Sequence, residues 1–191
     1  LQSLPWQDIR RANRDITTAT RLRFSPALDG TVFAAHPWDP EAPQTAAAIP
    51  MMIGTCRTEL SNQLGSADET TFSLDRAGIA ERLAAFVPAG DVEDLIALFE
   101  RECPGAPPPE ILFKITTARG YWRDSILQTE AKARQGGAPV YSYRLMWKTP
   151  VQGGRRITPH SLDLPFMFDN VKKAPDMVGE PTAGTAAMAT M

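Results

Sequence analysis

Trp6, Ile9, Asn13 and Ile16 recur at near-helical spacing with Arg and Asp between them, which predicts a short amphipathic helix over residues 4–20 with a packing role. Two short extended pieces in residues 23–33 flank Asp29-Gly30, the dipeptide that most strongly signals a hairpin. Residues 49–55, Ile-Pro-Met-Met-Ile-Gly-Thr, are an unbroken apolar run closed by glycine. That pattern predicts a strand buried on both faces of a parallel sheet. From 66 to 134 the periodicity changes to helical. Asp75-Arg76 opens a helix through Ile79, Leu83 and Phe86, and Val87-Pro88-Ala89-Gly90 breaks it. Residues 92–102 place Val92, Leu95, Ile96 and Phe99 on one face of the next. After the boundary at residues 103–109, rich in proline, residues 110–117 and 121–134 read as a helix pair ending at Gly136-Gly137. Residues 138–147, β-branched and aromatic with partial alternation, predict a second strand. Two strands separated by helices imply an α/β arrangement with parallel pairing.

Composition narrows the function classes. The chain of 191 residues is 43% hydrophobic and 22% charged, close to globular averages. Its net charge of −2 gives no electrostatic footprint for nucleic acid, and no apolar run approaches the ~20 residues of a membrane span. Cys56 and Cys103 are too few and too far apart for a metal cluster or a disulfide framework, so free thiols are expected. Charge pairs such as Glu81 with Arg82 and Glu130 with Arg134 read as a solvated face, and Phe113, Tyr121 and Trp122 as core packing. The chain begins with Leu1 and carries no leader pattern, which leaves cytoplasmic and secreted locations both open.

Two loops carry candidate chemistry. The first follows the apolar strand: Cys56-Arg57-Thr58-Glu59 occupies the carboxyl end, where α/β folds place ligands and catalysis. The second is Thr158-Pro159-His160-Ser161-Leu162-Asp163-Leu164-Pro165-Phe166-Met167-Phe168, a histidine set in a turn with an acid three residues on and Phe-x-Phe beyond. Pro26-Ala27-Leu28-Asp29-Gly30-Thr31-Val32, the turn His36-Pro37-Trp38-Asp39-Pro40, and the strand Pro139-Val140-Tyr141-Ser142-Tyr143 complete the set. Together these segments resemble the type-B carboxylesterase family, over roughly residues 24–170. The departures are Thr58, where the family has Asp; Leu60 and Asp169, where it has Gly; Ser161, where Gly or Ala is common; and Pro165, where an acid is common.

The resemblance implies an α/β-hydrolase fold, of which residues 1–170 would be the C-terminal portion. Residues 171–191, rich in Ala, Thr, Gly and Pro, would be a mobile tail or a truncated helix. It also implies a Ser-Glu-His triad with Glu59 as the acid and His160 as the base, no metal or organic cofactor, and a carboxylic ester as substrate. His36 is expected to be structural. The order acid then histidine agrees with α/β-hydrolases, but no serine here stands in the G-x-S-x-G elbow. The nucleophile and the oxyanion loop are therefore expected in a missing N-terminal portion of the same domain, which would leave this chain inactive alone. The alternative is a non-catalytic interaction module that keeps the fold without the chemistry.

Overall fold

In the computed structural model, residues 2–21 and 25–188 are described. The chain divides into two units, Leu1–Pro40 and Glu41–Met191.

In the first unit, α1 (Trp6–Thr20) ends at Arg21, whose left-handed φ of 58° turns its N–H onto the Thr17 carbonyl. None of its residues is buried, and Trp6, Ile9 and Ile16 keep 41–62% of their surface, so the packing role expected of this stripe is not met. The expected hairpin is corrected as well. Arg23 and Phe24 lie outside the described residues, and residues 25–33 form no strand. Asp29 is the reason: its Oδ1 accepts the N–H groups of Thr31, Val32 and Phe33 at 2.9, 2.8 and 3.0 Å. Those donors are then lost to a ladder. The same bonds, that of Thr31 foremost, hold the Asp29 carboxyl below its ordinary value. Asp-Gly therefore makes a turn without strands. His36 is exposed and contributes its carbonyl, which accepts the Asp39 N–H at 3.3 Å.

The second unit holds a parallel sheet of β1 (Met51–Cys56) and β2 (Val140–Leu145), paired from Met51↔Val140 to Cys56↔Leu145. A parallel pair needs a long crossover. Here it comprises α2 (Ser61–Ala67), α3 (Arg76–Leu83), α4 (Val92–Glu102), α5 (Pro108–Thr117) and α6 (Arg123–Arg134). Asp75 caps α3 by accepting the Gly78 N–H at 2.8 Å, and Pro108 opens α5, where a missing N–H is harmless. The predicted break before residue 121 is absent. Residues Ala118–Trp122 form a π-helical turn that joins α5 to α6 without interruption.

Among these elements α5 is the axis, with every residue from Pro109 to Thr117 buried. Ile111, Leu112, Phe113 and Ile115 pack with Ile79, Leu83, Val92, Ile96 and Ile157 into the main core. Each such side chain contributes about 1.5–3 kcal/mol by leaving water. A second cluster joins the end of β1 to the histidine loop: Cys56, Leu162, Phe166, Val171 and Val178. It involves α7 (Leu164–Met167) and α8 (Pro175–Val178), with α9 (Ala183–Met188) beyond. Val171 and Val178, both in the stretch of tail composition, are thus buried; residues 189–191 lie outside the described residues. Burial of β1 on both faces is not observed, since Met52 is 65% exposed and only Thr55 and Cys56 are buried. Two strands are too few to cover one another.

Candidate active site

The carboxyl end of β1 runs into a turn whose groups are used twice. Oε1 of Glu59 accepts the Cys56 N–H at 2.6 Å, which folds the side chain back against its own strand. The Glu59 N–H donates to Thr117 Oγ1 at 2.9 Å, anchoring the turn to the end of α5. With Glu59 only 4% exposed, its remaining oxygen can point in few directions. That oxygen, Oε2, lies 2.6 Å from His160 Nδ1, across 101 positions of sequence.

The approach is built by the backbone of both loops. The N–H of Thr58 donates to the Thr158 carbonyl at 3.1 Å, and that of His160 to the Glu59 carbonyl at 3.2 Å. Thr58 Oγ1 accepts the Thr158 N–H at 2.9 Å, and Ser61 Oγ donates to the Arg156 carbonyl at 2.6 Å. Thr158 Oγ1 closes the lattice on the Trp147 carbonyl at 2.8 Å. Thr117, Thr58, Ser61 and Thr158 were not singled out from sequence as site residues. Thr58 and Ser61 meet partners 95–100 positions away, so no local pattern signals them.

A second carboxylate lies behind the pair. Asp163 accepts the Tyr143 hydroxyl at 2.5 Å through Oδ2 and faces Cys56 Sγ at 3.8 Å through Oδ1. Burial, reinforced by the bond to Asp163, pushes the Tyr143 hydroxyl well above its ordinary value. Burial also pushes the Cys56 thiol up to about 12, with the charges of Glu59 and Asp163 adding to it. Cys56 is therefore a thiol at neutral pH and a poor nucleophile. Both cysteines are free, Cys56 buried and Cys103 partly so.

Of the three aromatic residues expected in the core, only Phe113 is there. Tyr121 and Trp122 are 39% and 38% exposed, because the π-turn that carries them faces outward. Tyr121 sets its ring against His160, centroids 5.4 Å apart, and walls a hollow of about 360 Å3 together with Ile53, Thr55 and Ser125. The imidazole itself keeps 45% of its side-chain surface, and its Nε2 has no hydrogen bond among the described residues. Chemically, this is a half-open base whose ring is fixed through the other nitrogen by a buried acid. No group of three His, Cys, Asp or Glu side chains among the described residues is placed to hold a metal ion.

No protein-family model matches the chain. Over 176 residues it is 26% identical to the para-nitrobenzyl esterase of Bacillus subtilis (strain 168), covering 90% of this chain and 34% of that protein. The solved structure of a thermophilic PNB esterase superposes with a TM-score of 0.63, over 98% of this chain and 38% of the other, at 21% identity. The chain is type-B carboxylesterase-like. Its likeness is to the C-terminal portion of that family, and at 21% identity the structural match is one of fold. The esterase-like chain spans about a third of the length of the relatives it matches. Among the described residues, no helix is long and apolar enough to cross a membrane.

Proposed function

We propose that this chain is the acid- and base-bearing part of a carboxylic ester hydrolase of the serine type, with residues 1–170 belonging to the C-terminal portion of an α/β-hydrolase domain. The observation that carries the reading is the 2.6 Å approach of Glu59 Oε2 to His160 Nδ1. A carboxylate there keeps the ring proton on Nδ1, so Nε2 presents a lone pair. In the proposed reaction Nε2 takes the proton of a serine hydroxyl as the oxygen attacks the ester carbonyl. The same proton then passes to the departing alkoxide, which leaves as the alcohol. Water repeats the two steps on the acyl-enzyme and releases the carboxylic acid. The serine is assigned to a segment outside these 191 residues, since none here stands in an elbow motif.

The test is para-nitrophenol release from para-nitrophenyl acetate by the complete polypeptide that carries this sequence. His160→Ala removes the base, and Glu59→Gln sets an amide N–H against Nδ1 and forces the ring proton onto Nε2. Each is expected to lower kcat by about 10⁴-fold, the scale of a triad that has lost its acid or its tautomer. The 191-residue chain alone is expected to give no turnover above buffer. Turnover undiminished by His160→Ala would overturn the assignment. A complete polypeptide inert towards esters would favour the non-catalytic interaction module.

A further inference from the structure

Between α4, α6 and the end of β2 lies a groove of about 850 Å3, within the range of roughly 300–1,000 Å3 that holds small ligands. Its apolar wall is Leu98, Phe99, Trp122, Ile126, Leu127 and Met146. All of these but Phe99 are more than a third exposed. Positive charge sits against this wall, and one of its cations lacks an acid. The Arg144 guanidinium lies 4.7 Å from the centroid of the Trp122 ring and makes no ion pair among the described residues. Arg57 gives one end of its guanidinium to Glu110, while its Nε is buried with no hydrogen-bond partner among the described residues. Glu110 is already shared, with Lys114 at 3.1 Å and Lys148 at 3.8 Å besides Arg57. Among the described residues one carboxylate thus faces three cations and Arg144 has none. Of the other charged residues in the groove, Glu130 pairs with Arg134 at 3.7 Å and Arg123 with Asp124 at 3.9 Å, which leaves Glu102 as the remaining acid. Burial, and then the charge of Arg57, lower the Arg144 pKa from its ordinary value. A guanidinium so placed is stabilised by any anion that reaches it.

We infer that this groove binds an amphipathic carboxylate, its head group on the guanidiniums of Arg144 and Arg57 and its apolar body along Leu98, Ile126, Leu127 and Met146. The planar fork of an arginine matches a carboxylate in shape as well as charge. A small inorganic anion would leave the apolar wall in water, and a neutral lipid would leave the Arg144 guanidinium without a counter-charge. The inference concerns a binding site and does not depend on the hydrolytic reading above.

The experiment is displacement of a fluorescent fatty acid, 11-(dansylamino)undecanoate, from the complete polypeptide. Dodecanoate should displace it; dodecyltrimethylammonium, with the same chain and the opposite charge, should not. Arg144→Gln should weaken dodecanoate by roughly tenfold or more, the scale of one charge-assisted hydrogen bond. Arg76→Gln on α3, outside the groove and with its charge answered by Glu93 and Glu100, should leave affinity unchanged. Equal displacement by the two amphiphiles overturns the inference on the unaltered protein, without any variant having to fold. So does a failure of the probe to bind, or a dodecanoate affinity that Arg144→Gln does not change.

Discussion

Asp169 adopts φ 46° and Ser161 φ 68°, the left-handed region that costs an L-residue about 1–2 kcal/mol. At Asp169 the resembled family carries Gly, so this departure visible in the sequence marks a point where the backbone favours a residue without a Cβ. Asp169 keeps its N–H on the Phe166 carbonyl at 3.3 Å, a bond that any residue could make. Asp169→Gly is therefore expected to raise stability by about 0.5–1 kcal/mol, the strain relieved less the extra entropy of an unfolded glycine. Urea midpoints of the two proteins measure it, and a lower midpoint for the variant would mean the carboxylate has an unseen favourable role. Thr58 illustrates the opposite kind of departure. It replaces an acid, yet its hydroxyl joins Arg156 and Thr158, so the site has been re-laced at that point.

Elements were legible where apolar spacing and proline or glycine punctuation agreed. The helix Val92–Glu102 lies where its periodicity places it, β2 falls inside its predicted run, and β1 runs one residue past its own, to Cys56. Both loops of the candidate site were legible too, because each follows a strand or proline turn that announces itself. Three features were not: the π-turn at Ala118–Trp122, the hydroxyl lattice, and the refusal of residues 25–33 to form strands. Each depends on which group captures a hydrogen bond, and periodicity carries no information about that. Gly54 lies at the join of elements and site. It sits opposite Tyr143, and a Cβ there would come within 2.3 Å of the ring edge. Gly54→Ala must move that ring and with it the hydroxyl that holds Asp163, and is expected to cost about 1–3 kcal/mol as overpacking does. Thermal or urea unfolding checks this; full stability in the variant would mean that the ring swings aside freely and the Tyr143–Asp163 bond is incidental.

At the scale of the whole molecule, Glu110 is the electrostatic junction of the second unit. From α5 it reaches Arg57 just beyond β1, Lys114 one turn along its own helix, and Lys148 beyond β2. Burial alone would raise its pKa, but the Lys114 ammonium, then Arg57 and Lys148, more than offset that and hold the carboxyl below the ordinary value of 4.5. The sign of the pH dependence follows. A carboxyl with a depressed folded-state pKa contributes its full stabilisation above about 4.5, the unfolded value, and loses it as pH falls through the folded one. Glu110→Gln, which leaves three cations without their acid, should destabilise by up to about 3 kcal/mol at pH 7. Below pH ~4.5 the difference should shrink, because a protonated Glu110 is nearly the isostere of glutamine. Urea titrations of both proteins from pH 7 to pH 3 should therefore give stability curves that converge towards acid. Curves that stay parallel would mean that the cations draw their compensation from elsewhere, and that β1, α5 and β2 are held together by packing without this junction.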